Sequence, residues 1–334
     1  MAILVTGGAG YIGSHTALAL LDAGEDVVVL DDLSTGQPFL IPPQARHHHC
    51  DVGDRALVQR LFASHPIEAV IHFAGSIVVP DSVADPLRYY ENNTAKSRSL
   101  IEQTITAGVK LFIFSSTAAV YGAAGANALD EMTELRPESP YGWSKRMTEI
   151  MLADAARAHD FRHVALRYFN VAGADPSMRA GQSSQRATHL IKIACQVATG
   201  ARPFMEVYGE DYPTPDGTCI RDYIHVSDLA AAHMSALGYL REGGASDVFN
   251  CGIGRGYSVR EVIAAVTRVC GAELDVRPAP RRAGDPPVLV AASEKLRNQL
   301  GWAPVYPELE AMVTHALAWE RKLADLLAAQ RQQP

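Results

Sequence analysis

Tyr141 and Lys145 stand four residues apart in Ser139-Pro140-Tyr141-Gly142-Trp143-Ser144-Lys145. That spacing can bring a phenol and an ammonium to one ligand. Ser139 followed by Pro140 reads as an N-cap with proline at the first helical position, and in a helix residues i and i+4 share a face. Free tyrosine has a pKa of about 10, so a phenolate that takes protons needs a positive charge beside it. Further upstream, 112–114 reads as a strand that delivers Ser115-Ser116-Thr117-Ala118-Ala119-Val120-Tyr121-Gly122 to a sheet edge. There the Thr117 hydroxyl could hold a substrate hydroxyl. The chemistry suggested is proton transfer at an alcohol.

These groups need a scaffold and a second reactant, and the start of the chain supplies a pattern for both. Residues 2–6 form a short apolar run suited to a buried parallel strand. It enters Gly7-Gly8-Ala9-Gly10-Tyr11-Ile12-Gly13, followed by an amphipathic stretch over 14–23. Strand, glycine turn and helix together let backbone N–H groups receive a pyrophosphate, and glycine lets the backbone approach without a Cβ in the way. A second strand, 26–30, ends at Asp31-Asp32, about 20 residues downstream, where a carboxylate meets adenosine ribose hydroxyls. It would repel a 2′-phosphate, so NAD is favoured over NADP. The positive ring of the oxidised nicotinamide would in turn favour a Tyr141 phenolate.

The rest of the chain agrees with an α/β enzyme. Apolar runs at 27–30, 69–73, 109–115 and 163–168 alternate with helical periodicity at 57–64, 95–107 and 141–158. This predicts a doubly wound parallel sheet, with ligands at the carboxyl ends of its strands. After 171 the pattern changes. Residues 173–185 read as a loop over the site, and short strands at 248–251 and 273–276 with later helices read as a smaller C-terminal α/β lobe. The domains expected are 1–170 for the dinucleotide and 171–334 for the substrate, with the helix over 227–240 able to return to the main sheet. The end, 328–334, should fray.

Composition sets bounds. With 334 residues the chain exceeds the usual size of a single core. A formal charge of −7, from 30 Lys+Arg against 37 Asp+Glu, carries no nucleic-acid footprint. Five cysteines without close pairs suit free thiols in a reducing compartment. The start lacks the charged region of a signal peptide, and no apolar run nears the ~20 residues of a membrane span, so a cytoplasmic location is expected. His47-His48-His49 invites a metal reading. However, successive side chains on a strand alternate sides, so no metal is expected.

Set beside Val5 to His15, further stretches carry a resemblance: His72-Phe73-Ala74-Gly75, Tyr89-Tyr90-Glu91-Asn92-Asn93, the 115–122 segment, Arg167-Tyr168-Phe169-Asn170, Arg221-Asp222-Tyr223-Ile224-His225-Val226 and Leu300-Gly301-Trp302. Over nearly its whole length the chain resembles the extended short-chain dehydrogenase/reductase family, and within it the UDP-glucose (UDP-galactose) 4-epimerases. The resemblance implies a Rossmann sheet that contacts NAD through Gly7, Gly10, Tyr11, Ile12, Gly13, Asp31, Asp32, Asp51, Val52, Phe73, Ala74, Gly75, Asn92, Ser115, Tyr141, Lys145 and Tyr168. It also implies the reaction. Tyr141 takes the C4 hydroxyl proton while hydride passes from C4 to NAD, Thr117 holds the oxygen, and the 4-keto sugar turns before both are returned. Lys145 would hold the nicotinamide ribose and lower the tyrosine pKa. Related dehydratases and decarboxylases carry an acid just after the threonine. Here Ala118 and Ala119 cannot move protons, which suits oxidation and reduction without elimination.

For the UDP-sugar, the resemblance assigns the pyrophosphate to Arg221 and Arg282, where an arginine fork suits phosphate. It assigns the uridine ribose to Asp285 and the uracil edge to Glu206 and Tyr208. Asn170, Phe169, His189, Leu190 and Tyr223 fall on the substrate side as well. Leu289 aligns with the residue that limits the C2 side of the sugar pocket. Its middling bulk implies UDP-glucose and UDP-galactose as substrates, with UDP-N-acetylhexosamines or the UDP-pentoses UDP-arabinose and UDP-xylose as alternatives. One departure is Ile77, where many epimerases carry lysine. Family members are usually homodimers through a two-helix contact, here from 92–107 and 141–158.

Overall fold

Ala2–Thr6 lies between Asp26–Asp31 on one side and Ile67–His72 on the other, parallel to both. The sheet therefore grows outward in two directions from its first strand. Seven strands result, all parallel, in the order Asp247–Cys251, Arg162–Tyr168, Leu111–Thr117, Ile67–His72, Ala2–Thr6, Asp26–Asp31, Arg46–His49. The computed structural model describes residues 1–123, 128–184, 188–282 and 285–331.

Side chains alternate across each strand, so each run feeds two cores. Ile3 and Val5 join Val29, Ile71 and Ile113 on one face, under helices Tyr11–Asp22 and Val226–Arg241. Leu4 joins Val28, Val70 and Phe112 on the other, under Arg55–Ser64, Lys96–Thr106 and Pro140–Ala158. This is the doubly wound arrangement expected from the alternation of runs. In such a sheet the crevice for a ligand opens where strand order reverses, at the carboxyl end of Ala2–Thr6.

A smaller lobe carries a four-stranded sheet in which Ile220–His225 pairs with Gly256–Ser258, Val288–Leu289 and Asn170–Ala172. Helices Leu190–Ala198, Val259–Cys270 and Leu309–Arg331 bury their own core, including Ile191, Val262, Val266 and Leu317.

Three expectations need correction. The strand at Asp247–Cys251 does not belong to the smaller lobe. Helix Val226–Arg241 packs on Tyr11–Asp22 and returns the chain to the main sheet, beside Arg162–Tyr168. A short apolar run says nothing about which sheet it joins, so only packing decides this. The strand expected at 273–276 begins at Val276 and pairs with Met205–Tyr208, because Leu274 turns into the lobe core instead. The last helix continues to Arg331 rather than fraying from 328, and 332–334 lie outside the described residues. The loop expected over 173–185 bears the Ala174–Gly181 bridge, and its last residue, Gln185, also lies outside the described residues.

The three histidines do alternate. The His47 and His49 rings stack on one side, 6.4 Å apart, while His48 meets His65 on the other. Among the described residues no helix is long and apolar enough to cross a membrane.

Candidate functional site

The glycine loop has the shape a dinucleotide requires. Gly7 is left-handed, with φ +72°, and a Cβ on Gly13 would stand 2.2 Å from the Gly7 carbonyl oxygen. Helix Tyr11–Asp22 starts from Gly10 with no side-chain cap. Its first N–H groups, which have no partner within the helix, are therefore open to an anion. Asp31 braces this loop, accepting from the N–H of Ala9 at 2.9 Å and of Leu33 at 2.8 Å. A carboxylate offers about four acceptor positions, so capacity remains for ribose hydroxyls. Burial raises its pKa, against the pull of those two N–H groups. Asp32 instead caps the next turn through Ser34.

Asp51 is tied to Lys96 at 2.5 Å and to the Gly53 N–H at 2.7 Å. Burial works to raise its pKa, but these partners outweigh it and hold the carboxyl below the usual range. Val52 is buried beside it. Phe73 and Ala74 close the far side of the loop, where a Cβ on Gly7 would lie 2.7 Å from the Ala74 nitrogen. The residues present thus fit a bound NAD.

The Tyr141 helix forms as its sequence dictates. The Ser139 hydroxyl accepts from the Gly142 N–H at 3.1 Å, and Pro140 opens the first turn. Gly142 is needed for a close approach, since a Cβ there would stand 2.7 Å from the Ala119 carbonyl oxygen. The helix start therefore presses directly on the turn that carries Thr117, and the Tyr141 hydroxyl and Thr117 side chain are hydrogen-bonded.

Tyr141 is half-buried, and desolvation pushes its pKa up to about 12, only partly countered by Thr117. Lys145 is 3 % exposed and donates to the Ser115 carbonyl at 2.9 Å, with Phe114 below its ammonium. Burial lowers the lysine pKa to about 8.

Three supports, Asn93, Glu149 and Arg167, were not singled out from the sequence. Asn92 donates to the Ser76 hydroxyl at 2.9 Å. Its neighbour Asn93 is buried and clamps Ser76, accepting from its N–H at 2.7 Å and donating to its carbonyl at 2.9 Å, and it also reaches Ser144. A π-helical turn over Tyr90–Ala95 aims it inward, a feature frequent at functional sites. The signal was present, because Asn93 lies one turn before the buried face of Ser97, Leu100 and Thr104.

Glu149 and Arg167 form a buried pair at 2.8 and 2.9 Å, and Ser116 also donates to Glu149 at 2.5 Å. They brace the strand end that carries Thr117. Finally, Tyr168, expected against the cofactor, is buried under the site with its hydroxyl 2.5 Å from His233 Nε2 and bonded to Ser115.

The smaller sheet gathers the substrate-side residues. Asn170 is in register with Tyr223, and Leu289 with Arg221. Leu289 packs with Phe169, Ala118 and Tyr121, next to the Thr117 turn. Asp222 locks this sheet by accepting from the N–H groups of Ile253, Gly254 and Ala291. Burial pushes its pKa up to about 6 despite those bonds.

Arg221 pairs with Asp285 at 3.3 Å, and the Arg282 guanidinium stacks 3.8 Å from the Tyr208 ring. Tyr208 also bonds Glu206 at 2.5 Å, on the strand edge. His189 precedes helix Leu190–Ala198 without capping it through its side chain, and lies beside Gln182 and Leu190 around a cavity that Asn170 and Tyr223 also line. Residues 283 and 284, between Arg282 and Asp285, lie outside the described residues.

Known proteins share this arrangement. The family model described as "NAD dependent epimerase/dehydratase family" matches residues 3–252. The UDP-glucose 4-epimerase of Azospirillum brasilense is 54% identical over 321 residues, covering 96% of this chain and 92% of that protein. That of Halalkalibacterium halodurans is 47% identical, covering 96% of each. The crystal structure of UDP-glucose 4-epimerase from Brucella ovis in complex with NAD superposes with TM-score 0.92 at 42% identity, covering 95% of this chain and 97% of the other. The Bifidobacterium longum enzyme in complex with NAD+ and UDP gives TM-score 0.91 at 38% identity, covering 96% and 98%. A dinucleotide cradle, a tyrosine–threonine contact at the strand edge and kinship of this extent lead to one assignment: the chain belongs to the NAD dependent epimerase/dehydratase family.

Proposed function

We propose that this protein interconverts UDP-galactose and UDP-glucose by 4-epimerisation, with NAD kept bound between turnovers. The observation that carries the reading is the Tyr141–Thr117 contact, with Ala118 and Ala119 next in the chain after Thr117 and Lys145 buried on the Tyr141 helix. When bound, NAD supplies a hydride acceptor that is also the later donor, and a positive ring beside the phenol.

The chain's own residues do the rest. Tyr141 removes and returns the proton of the C4 hydroxyl, while Thr117 keeps that oxygen within reach of the phenol. The alanines leave no group able to protonate a leaving hydroxyl, so the 4-keto sugar can only turn and be reduced. Arg221 and Arg282 take the pyrophosphate, Asp285 the uridine ribose, and Leu289 with Phe169 bounds the sugar. Holding the UDP by these groups lets the sugar swing about its phosphate link. Arg221→Ala should then raise KM for UDP-galactose by about tenfold or more, as expected for losing a charge-assisted bidentate contact, with kcat far less changed. Steady-state kinetics would show the split, and an unchanged KM would remove Arg221 from the role.

The division of labour inferred is 1–170 for NAD and 171–334 for the UDP-sugar, with Val226–Arg241 and Asp247–Cys251 serving the first unit. A homodimer is inferred too, from Trp143, Met147 and Ile150, which form an exposed apolar stripe on the Tyr141 helix, the kind of surface that marks an interaction site. Val79, Val83 and Leu87 are exposed as well, and the 92–107 stretch is the second helix of the inferred contact. Replacing Ile150 and Met147 together by glutamate should shift the sedimentation coefficient to that of a monomer, whereas a wild-type chain already monomeric would end this reading. All five cysteines are free, which supports a reducing, cytoplasmic setting that cell fractionation would test.

The deciding experiment gives purified protein UDP-galactose with no added NAD and follows the sugars by NMR. UDP-glucose should appear near equilibrium without NADH accumulating. Turnover that needs added NAD would keep the chemistry and implicate Ile77 in weak retention. No turnover of UDP-hexoses, even with NAD, would overturn the proposal.

A further inference from the structure

His233 lies fully buried in an apolar stripe of helix Val226–Arg241, among Leu229, Ala232, Ala236 and Leu237. A ring nitrogen there must find partners or weaken the fold, and it finds two. Nδ1 is 2.8 Å from the Leu229 carbonyl and Nε2 is 2.5 Å from the Tyr168 hydroxyl. The ring also packs 4.8 Å from Phe73. Phe73 follows one sheet strand and Tyr168 ends another, and the strand between them is Leu111–Thr117. On that middle strand the Ser115 side chain bonds Tyr168, and its carbonyl holds the Lys145 ammonium.

These contacts have one consistent direction. A carbonyl only accepts, so Nδ1 carries the proton. Burial lowers the His233 pKa to about 4, so the ring is neutral and Nε2 is a bare acceptor. The Tyr168 hydroxyl must then donate to Nε2, and its oxygen is left to accept from the Ser115 hydroxyl. Residue 115 is thus anchored through its side chain, on the side away from the lysine.

We propose that His233 is a positioning residue for the reaction. It anchors and orients a buried chain, His233–Tyr168–Ser115, which sets the Ser115 carbonyl where it holds Lys145 in place beside the nicotinamide ribose site. It acts through Tyr168 and Ser115 and touches neither sugar nor dinucleotide. Nothing in its helix's sequence ties it to the site; three strand ends do.

Two measurements test this. Long-range proton–nitrogen NMR of the histidine rings, assigned by the signal lost in His233→Gln, should show His233 as the Nδ1–H tautomer. Its Nε2 signal should move in Tyr168→Phe. An Nε2–H tautomer, or an Nε2 indifferent to Tyr168→Phe, would overturn the proposal without any assay of activity.

The kinetic arm rests on the epimerase reading. Tyr168→Phe and His233→Leu should each lower kcat on the order of tenfold, as a small misplacement of a reacting group does, and leave KM for UDP-galactose unchanged. The double variant should be no worse than the poorer single one, since the two residues act as one unit. His233→Gln, which keeps an acceptor and a donor, should recover most of the loss. Full turnover in Tyr168→Phe, or additive losses, would also overturn it. A wild-type chain that does not turn over would defeat the epimerase reading instead and leave the NMR result standing.

Discussion

Tyr141→Phe should reduce kcat for UDP-galactose by about 10²–10⁴-fold, the span for removing a positioned acid–base group, while NAD still co-purifies with the protein. The hydroxyl is bonded to Thr117 at the end of the sheet strand, and its neighbours Ala118 and Ala119 cannot substitute for it. Phenylalanine fills the same space, so the helix start and its Ser139 cap should be undisturbed. KM should change little, because the UDP half is held by Arg221, Arg282 and Asp285 on the other lobe. The measurement is a coupled assay with the released dinucleotide quantified after denaturation. More than about a tenth of wild-type kcat remaining would assign the proton transfer to another group.

Desolvation keeps the Tyr141 pKa up at about 12 in the chain itself, while Lys145 falls to about 8. Burial disfavours the charged form of both groups, raising the phenol and lowering the ammonium, and the ammonium keeps a hydrogen bond to the Ser115 carbonyl.

Glu149→Gln should destabilise the protein by about 3–5 kcal/mol, the usual cost of removing one partner of a buried pair. It would do so without altering side-chain size. Arg167 is 3 % exposed and would keep a buried guanidinium with its counter-charge gone. Tyr121 remains as a neutral partner of the guanidinium. The expected fall in melting temperature is roughly 10 °C, with a loss of turnover because the strand end bearing Thr117 is tied to this pair through Ser116. Glu149→Leu combined with Arg167→Met, which removes both charges, should restore much of the loss. A melting temperature unchanged in Glu149→Gln would show that the pair adds nothing beyond shape.

What the amino-acid sequence determined by itself is local. The run over residues 2–6 and the strand are the same residues, and the glycine turn, the serine cap and the Tyr141–Lys145 spacing all form as read, since each depends on contacts within a few positions. The parallel sheet followed from alternation of runs, because strands joined by helices on both faces have few other ways to bury both sides.

What only the tertiary structure decided are contacts between distant segments. Tyr168 and His233 are 65 positions apart, Arg221 and Asp285 are 64, and Asp247–Cys251 joins the main sheet only because its preceding helix packs there. Nothing in a short window marks a histidine in an apolar stripe as the partner of a particular tyrosine. Nor could the window give the direction of the Tyr141 pKa. The largest cause is burial, which raises it, and burial is a property of everything folded around the hydroxyl.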